Sequence, residues 1–305
     1  MRVSKRNSIL VTGAGGFVGS SLCKKLISKH YNVIASSRSK IEYSGLEDCH
    51  IIESLNGSED WSSVLNKCST IIHLAARAHK ISKLPQDSIE IYREINTLAT
   101  INLAKQAIKS GVKKFVFIST IGVNGSFTKK NKFTNFDIPS PTSFYALSKY
   151  EAEIELNKIT KDSGMQLIII RPPLVYHVLA PGNLRSFINL VKIGIPLPFA
   201  SVNNRRSFVS LKNLTDLIIK SFDYYDSQSI TILAGDGINL STRELLYQIG
   251  RDLNINVRLF PFPVKLLSII LYFLGKKKMT ESLFKDLRID ISHTKKSMNW
   301  TPEND

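Results

Sequence analysis

The sequence predicts an α/β fold, a Rossmann-type doubly wound parallel sheet with a smaller, mostly helical C-terminal lobe. Three features support this prediction. Short apolar runs alternate with helix-length segments through the first half of the chain, a glycine-rich turn follows the first run, and the alternation stops after residue 172. Apolar strands that alternate with helices are typical of a parallel sheet covered on both faces.

Five apolar runs are predicted strands, and longer segments between them are predicted helices. The strands are expected at residues 9–12, 32–36, 71–75, 115–119 and 167–170, and the helices at 16–29, 87–110 and 143–163. We expect residues 1–172 to form the dinucleotide-binding domain and residues 173–305 to form the lobe. Segments around 207–234 are expected to return to the main sheet.

The composition, with 43% hydrophobic and 22% charged residues, is typical of a globular protein. Cys23, Cys49 and Cys68 lie far apart without a CxxC pattern, which argues against disulfides and zinc. We therefore expect a cytoplasmic protein without a metal. The most apolar stretch, residues 266–274, is much shorter than the about 20 residues that a membrane-spanning helix needs.

The first predicted strand runs into a glycine-rich turn that opens the first predicted helix. Gly13, Gly16 and Gly19 are spaced for a tight turn, a close backbone approach and close packing of helix on strand. A diphosphate can rest on such a helix N-terminus, where free N–H groups and the dipole favour negative charge. The turn, which includes Phe17 and Val18, predicts a dinucleotide site; the alternative is a tight turn without a ligand.

The end of the second predicted strand distinguishes NAD from NADP. Sites that prefer NAD usually have an acid there, which binds the ribose 2′-hydroxyl. This chain has Ser36, Ser37 and Arg38 instead. Serine and arginine can bind a 2′-phosphate that an acid would repel. We therefore expect NADPH as the cofactor, with NAD as the alternative.

A threonine, a tyrosine and a lysine form the candidate catalytic group. Tyr145 and Lys149 are four residues apart and share one helical face, and Thr120 follows the strand predicted at 115–119. Ligands bind at this carboxyl edge in open α/β sheets. A nearby ammonium is expected to lower the pKa of Tyr145, which then exchanges a proton with a sugar oxygen held by Thr120. The alternative is an amphipathic helix with an incidental Tyr and Lys.

Together these residues resemble the extended short-chain dehydrogenase/reductase family, which includes nucleotide-sugar epimerases, dehydratases and reductases. The resemblance covers nearly the whole chain. Besides the glycine turn and the Tyr145/Lys149 pair, its motifs lie at residues 73–76, 94–96, 119–120, 171–172, 183–184 and 206–209. The family implies cofactor contacts from Leu55, Ala75, Asn96 and Lys149. It also implies a homodimer formed through the helices predicted at 87–110 and 143–163.

The same resemblance implies a UDP-sugar substrate held by three residues after position 172. Asn183 is expected to contact the nucleotide diphosphate, Arg206 the phosphates or uridine, and Phe199 to lie in the loop under the nucleotide. The alternatives are a helix N-cap for Asn183 and a surface charge for Arg206. The chain departs from the family pattern with Asn124 in place of a tyrosine and His177 in place of a glycine.

The residues after Thr120 reduce the number of family reactions that this chain is expected to catalyse. Sugar 4,6-dehydratases of the family carry an Asp-Glu pair there and decarboxylases a glutamate, whereas this chain has Ile121 and Gly122. Two reactions at C4 of the sugar are left. We expect reduction of a UDP-4-keto-6-deoxy-N-acetylhexosamine by NADPH, of the kind that makes UDP-N-acetylquinovosamine for surface polysaccharide or O-antigen. The alternative is a UDP-glucose or UDP-N-acetylglucosamine 4-epimerase that retains NAD.

Two interpretations from other classes rest on charge. The net charge of +16 is compatible with a non-catalytic, RNA-associated protein, but such proteins often lose the Tyr or the Lys, and we expect no nucleic-acid partner. The segment 262–278 is apolar and ends in three lysines. It is interpreted as a core helix with cations at its C-terminal end, and the alternative is a peripheral contact with an anionic membrane.

Overall fold

The computed structural model describes residues 7–78, 88–226, 229–273 and 277–303. Its main feature is a seven-stranded sheet in which every neighbouring pair is parallel. Its strands are β1 (Ser8–Thr12), β2 (Val33–Ser37), β3 (Asp48–Ile51), β4 (Cys68–His73), β5 (Lys114–Ile118), β6 (Gln166–Arg171) and β9 (Ile230–Leu233). The predicted Rossmann-type α/β fold is thereby confirmed.

The sheet is doubly wound from its centre. Its spatial order is β3-β2-β1-β4-β5-β6-β9, so the chain runs outward from β1 in one direction and then returns to continue from β4 in the other. The point where the direction changes lies between β1 and β4. Crevices at such a point, outside the carboxyl ends of the strands, are the usual ligand sites of open α/β sheets.

Helices cover both faces of this sheet because side chains alternate along each buried strand. The helices of the first half are α1 (Phe17–Ser28), α2 (Ser62–Leu65), α3 (Ile89–Tyr92), α4 (Ala99–Lys109) and α5 (Phe144–Thr160). One face packs Val11 and Val116 against α1, and the other packs Leu10 and Phe117 against α2, α4 and α5. A π-helical segment, Arg93–Leu98, joins α3 to α4.

The second half contains a smaller sheet and six helices within the described residues. Strands β7 (Leu174–Tyr176), β8 (Arg206–Ser210) and β10 (Asn239–Leu240) form a three-stranded sheet in the order β10-β8-β7. The helices are α6 (Asn183–Ile193), α7 (Leu211–Lys220), α8 (Thr242–Leu253), α9 (Val264–Phe273), α10 (Lys277–Phe284) and α11 (Ser292–Met298). Apolar residues of α6, α8, α9 and α10 form a separate core for this lobe.

The chain crosses between the two parts several times. Strand β9 pairs with β6 at the edge of the main sheet, whereas β8 belongs to the small sheet. Helix α7 nevertheless packs on the main sheet through Leu214, Leu217 and Ile218, and Lys25 of α1 pairs with Asp216 at 2.6 Å. Within the segment 207–234, therefore, β9 is part of the main sheet and α7 packs on it, whereas β8 belongs to the small sheet.

Three strands were not expected from sequence. β3 has a half-exposed pattern because it is the edge of the sheet, and β7 and β10 are only three and two residues long. The signal used for the other strands was a continuous apolar run of at least four residues; β3 and β10 contain polar residues, and the apolar run of β7 has only three residues. Among the described residues, no helix combines the length and the apolar character needed to cross a bilayer.

Candidate active site

The glycine turn after β1 is sterically closed to larger residues at two of its three glycines. A Cβ on Gly19 would lie 2.2 Å from the carbonyl oxygen of Gly13, and a Cβ on Gly13 would lie 2.8 Å from the backbone nitrogen of Ala75. Gly13 also has φ +69°, which favours glycine. Helix α1 thus begins in direct contact with β1 and with the loop after β4. Its first turn carries no acidic residue, so the free N–H groups there suit an anion.

The end of β2 lies beside this turn. An added Cβ on Gly15 would lie 3.7 Å from the Cβ of Ser37. The Ser37 hydroxyl donates to the carbonyl of Ser39, which closes the short turn that carries the exposed Arg38. The Ser36 hydroxyl is buried and has no hydrogen-bond partner among the described residues. Arg38 is thus placed next to the glycine turn, where the discrimination between NAD and NADP was expected.

Thr120 caps the short 3₁₀ helix Ile121–Val123 that follows β5. Its Oγ1 accepts a hydrogen bond from the backbone N–H of Gly122 at 3.1 Å. Within the described residues, no acceptor takes the proton of this hydroxyl, so it is available to a ligand oxygen. A Cβ on Gly122 would lie 3.2 Å from the Cβ of Ala146, which follows Tyr145 in α5. The close approach brings the loop of Thr120 against the first turn of the helix that carries Tyr145.

Lys149 is buried, and its Nζ has no hydrogen-bond partner among the described residues. Its side chain is fully buried, and its Nζ lies 3.8 Å from the centre of the Phe117 ring. Burial lowers the pKa of Lys149 to about 7, although the Glu153 carboxylate one helical turn away acts in the opposite direction. An ammonium that is desolvated and unbonded gains stability from any ligand oxygen that reaches it.

Tyr145 does not have the lowered pKa that was expected from the neighbouring lysine. Burial raises its pKa to about 12, and no charged group offsets this effect. The physical reason is that Lys149, four residues along α5, is itself desolvated and lies over Phe117. The prediction of a lowered pKa was therefore wrong for the protein without a cofactor, in which Tyr145 is a protonated phenol at neutral pH.

A buried ion pair below these residues was missed from sequence. Glu153 accepts from Arg171 through Nε at 3.0 Å and Nη2 at 2.5 Å, and also from the Ser119 hydroxyl. The remaining Nη1 of Arg171 donates to Asn124 Oδ1 at 2.9 Å, and Asn124 Nδ2 donates to the carbonyl of Thr134. The network joins the ends of β5 and β6 to α5. The available signal was the position of Glu153 in α5, four residues after Lys149, which places its carboxylate on the same helical face as the candidate catalytic residues.

A second buried network centres on His73 at the end of β4. Its Nε2 lies 2.8 Å from Thr100 Oγ1 and its Nδ1 lies 2.7 Å from Thr12 Oγ1. Because Thr100 donates its hydroxyl proton to the carbonyl of Asn96, His73 donates through Nε2 and accepts at Nδ1. Burial, with a smaller effect from Lys149, lowers the pKa of His73 to about 3. The neutral ring therefore links β4 to β1 through Thr12 and to α4 through Thr100.

Two residues expected at the cofactor play a further part in this framework. Asn96, in the π-helical segment, accepts from the backbone N–H of Arg77 at 2.8 Å and donates to the Ser148 hydroxyl at 3.0 Å. Its Nδ2 also donates to the carbonyl of Arg77 at 3.2 Å, so both amide protons are used and Oδ1 keeps one acceptor site for a ligand. The backbone N–H of Ala75 donates to Thr12 Oγ1 at 3.3 Å, which fixes the loop against the glycine turn. Leu55 is half-buried and packs against the main core.

The residues expected to bind the substrate lie in the second half. Arg206 is on β8, donates to the carbonyl of Lys285 at 3.0 Å, and has its pKa lowered to about 10 by burial. Phe199 is buried in the core of the lobe, so its ring is not open to a ligand as expected of a loop under the nucleotide. Asn183 is the first residue of α6, and its side chain lies outside the described part of the structure.

His177 connects the two halves at the glycine turn. Its ring lies 5.8 Å from that of Phe17, centre to centre, and its Nδ1 accepts from the backbone N–H of Leu179 at 3.1 Å. Phe17 is the first residue of α1. The position at which the chain departs from the family pattern is therefore in contact with the candidate cofactor turn.

The residues present fit a dinucleotide. The turn at Gly13 and Gly19 admits no side chain and presents free backbone N–H groups to a diphosphate. The unpartnered ammonium of Lys149 suits ribose hydroxyls, and the hydroxyls at 36 and 37 lie at the end of β2 with Arg38. The turn follows β1, the hydroxyls lie at the end of β2, and Lys149 lies over Phe117 of β5, so these features occur on both sides of the point where the sheet reverses.

Comparisons with known proteins agree with this geometry. The profile of the NAD dependent epimerase/dehydratase family matches residues 9–233. A relative named UDP-glucose 4-epimerase, from Vibrio cholerae, is 38% identical over 300 residues, which cover 97% of this chain and 90% of the relative. The dTDP-4-dehydro-6-deoxyglucose reductase of Escherichia coli is 23% identical over 82% of this chain and 83% of its own.

Solved structures show the same fold. The crystal structure of UDP-glucuronic acid 4-epimerase from Bacillus cereus in complex with NAD has a TM-score of 0.77 to this chain at 19% identity. The match covers 98% of this chain and 94% of that one. At this identity the likeness supports the shared fold.

Proposed function

Because this chain belongs to the NAD dependent epimerase/dehydratase family, we propose that it is an enzyme that transfers a hydride to or from C4 of a UDP-sugar. The observation that carries the proposal is the juxtaposition at the end of β5. The loop that carries Thr120 lies against the first turn of α5 through Gly122 and Ala146, and Tyr145 and Lys149 lie on one face of that helix. Among the described residues, the Thr120 hydroxyl proton has no acceptor and the Lys149 Nζ has no hydrogen-bond partner. In the proposed reaction Tyr145 is the proton donor, Thr120 is the hydrogen-bond donor and Lys149 is the cation. A carbonyl or alcohol that reacts at C4 requires these three groups.

Each of the three residues has a separate task in the proposed reaction. A bound nicotinamide supplies or accepts the hydride. Tyr145 donates its phenolic proton to the C4 oxygen as the alkoxide forms, and Thr120 donates a hydrogen bond to the same oxygen. Lys149 binds ribose hydroxyls of the cofactor, which satisfies its buried ammonium, and it supplies the positive charge that stabilises the phenolate left after proton transfer.

The first candidate direction is reduction of a UDP-4-keto-6-deoxy-N-acetylhexosamine by NADPH. One observation favours it over epimerisation. Arg38 is exposed at the end of β2 beside the glycine turn, where it can pair with a 2′-phosphate. A reductase exchanges its cofactor in every turnover, which suits NADPH.

The second candidate is 4-epimerisation with a retained NAD. It is favoured by the relative named UDP-glucose 4-epimerase, which is 38% identical over nearly the whole chain. Both candidates use the same three residues for the transfer at C4. Dehydration is disfavoured because Ile121 and Gly122 follow Thr120, with no carboxylate to protonate or deprotonate the neighbouring carbons.

Product analysis distinguishes the two directions. The purified protein is incubated with NADPH and UDP-4-keto-6-deoxy-N-acetylglucosamine, and separately with UDP-glucose and UDP-N-acetylglucosamine, and the products are identified by NMR. Consumption of NADPH with a new C4 alcohol supports reduction, and interconversion of the C4 epimers without net cofactor use supports epimerisation. Absence of both reactions would contradict the proposal.

A Tyr145→Phe variant tests the assigned proton donor. We expect kcat to fall by about a hundredfold to a thousandfold, because a positioned general acid contributes about that much. Tyr150→Phe is the matched control, since Tyr150 lies on the same helix and has no proposed role. Cofactor binding should be unchanged in both variants. Full activity of the Tyr145 variant would refute the mechanism.

An Arg38→Asp variant tests the cofactor preference. The exchange replaces a cation that can pair with the 2′-phosphate by an anion that repels it, so we expect KM for NADPH to rise at least about tenfold. KM for NADH should change little. A wild-type protein that already prefers NADH would remove this part of the proposal and favour the epimerase.

A homodimer through α4 and α5 belongs to the same proposal. These neighbouring helices expose Leu98, just before α4, and Ile154 of α5, which are 52% and 46% exposed. Exposed apolar side chains on both helices suit an isologous contact between two copies. Sedimentation equilibrium of the wild type and of a Leu98→Asp variant tests it, and a monomeric wild type would contradict it.

A further inference from the structure

Helix α9 is apolar on two faces, and only one of them packs on the lobe. Val264, Leu267 and Leu271 belong to the core of the lobe. A second set of large apolar residues in the helix is exposed by between 41% and 81%, namely Leu266, Ile269, Ile270 and Phe273. These four follow the spacing i, i+3, i+4, i+7, which places them on one face. We call them the α9 stripe.

The α9 stripe is more than scattered surface apolarity. Single exposed apolar residues are normal, whereas a contiguous apolar patch marks an interaction site. Phe273, at the end of the stripe, is 81% exposed, and Tyr272 beside it is 56% exposed. Nothing in the reaction proposed at the sheet edge uses this surface.

The chain around the α9 stripe is strongly cationic. Residues 253–280 contain five cations, Arg258, Lys265 and the lysines at 276–278, and no aspartate or glutamate. Arg258 and Lys265 are both exposed. A partner that is complementary to this region therefore has an apolar surface that also carries negative charge.

We propose that the α9 stripe docks onto an anionic lipid surface, with α9 lying in the plane of the interface. The helix has ten residues, which gives a length of about 15 Å, half the thickness of a bilayer core. It can bury its apolar face among lipid headgroups and acyl chains while the exposed Arg258 and Lys265 contact negative headgroups. A second copy is a poorer occupant because an isologous contact would bring two identical cationic segments together.

Co-sedimentation of the full chain with vesicles tests this docking directly and needs no substrate. Vesicles of phosphatidylcholine alone are compared with vesicles that also contain phosphatidylglycerol. We expect the wild type to pellet with the anionic vesicles and to stay in the supernatant with the neutral ones. An Ile269→Ser/Phe273→Ser variant should bind the anionic vesicles at least about tenfold more weakly, because two apolar anchors are lost.

The matched control is Phe136→Ser/Ile138→Ser, which removes the same two residue types from another surface. Phe136 and Ile138 are 78% and 90% exposed. Vesicle binding by this control should equal that of the wild type. Binding that is equally strong in the stripe variant would overturn the proposal, since the net charge alone would then explain it.

Size-exclusion chromatography tests whether a second copy of the chain, instead of a lipid surface, covers the α9 stripe. One result would assign the stripe to a second copy and refute the lipid proposal: the wild type does not bind anionic vesicles and elutes as a dimer, and the stripe variant elutes as a monomer. Absence of vesicle binding with no change in elution would refute it as well. Neither result bears on the hydride transfer, which has its own assay.

Discussion

Two Arg–Glu pairs of the same chemistry lie in different settings in this protein. Arg171 and Glu153, at the main sheet, have side chains 6% and 4% exposed, and Arg205 and Glu244, in the lobe, have side chains 52% and 36% exposed. The first pair is bidentate and its remaining hydrogen-bonding atoms contact Ser119 and Asn124. In the second pair, Nη1 of Arg205 donates to both carboxylate oxygens of Glu244, which also accepts from the backbone N–H of Ser241. The ion pair at the candidate active site is thus buried, whereas the matching pair in the lobe is open to solvent.

This contrast fits the two proposed roles. Groups that transfer a proton and a hydride must be held within a fraction of an ångström, which buried and fully bonded networks achieve. A surface that binds a nucleotide or a lipid headgroup tolerates more movement. The contrast can be tested by removing matched features from each region, and the expected effects below decrease in size.

The largest difference is expected between Arg171→Met and Arg205→Met. Loss of Arg171 leaves the Glu153 carboxylate buried without its partner, and breaking such a pair costs about 3–5 kcal/mol of unfolding free energy. Loss of Arg205 should cost about 0–1 kcal/mol, since solvent screens the exposed pair. Urea denaturation measures both values. Similar losses in the two variants would show that burial does not distinguish the regions.

The next effect concerns two glycines. Gly19→Ala places a Cβ 2.2 Å from a backbone oxygen that cannot move away, so we expect a loss of about 3 kcal/mol. Gly194→Ala, at the end of α6, meets no atom within 4 Å and suffers only the strain of φ +74°, about 1 kcal/mol. Urea denaturation without cofactor compares the two. A larger loss of unfolding free energy in the Gly194 variant than in the Gly19 variant would contradict this prediction.

A smaller effect is expected from His73 as the pH falls. Its folded-state pKa of about 3 lies below the ordinary 6.5, so the unfolded state binds more protons between these values. Stability is therefore fully present above pH 6.5 and declines as the pH falls toward 3. At about pH 5 the loss from this residue should be about 2 kcal/mol relative to pH 7.

A His73→Gln variant isolates this contribution, because glutamine does not titrate. The wild type and the variant are unfolded by urea at about pH 7 and pH 5, and the difference between their pH-dependent losses is the effect of His73. The exposed pairs of the lobe should contribute little over this range. Equal losses in the two proteins would mean that His73 is not held neutral.

The cofactor turn and the catalytic helix could be predicted from sequence because their requirements are local. Gly19 is required by a contact within one strand-turn-helix unit and Gly13 by its φ of +69°, and the four-residue spacing of Tyr145 and Lys149 fixes a shared helical face. The apolar runs, including residues 230–233 in the segment expected to return to the main sheet, likewise predicted six of the seven strands in that sheet. The strands that were missed are too short or too exposed to carry a periodic signal.

The state of charge and exposure of these residues was decided by tertiary packing. The sequence placed an ammonium near Tyr145, but only the fold shows Lys149 desolvated over Phe117 and the pKa of Tyr145 raised. The sequence likewise marked α9 as apolar, and only the fold left one of its apolar faces in water. Spacing along a helix or strand is set by backbone geometry, whereas desolvation depends on every neighbour that packs around a group, most of them distant in sequence.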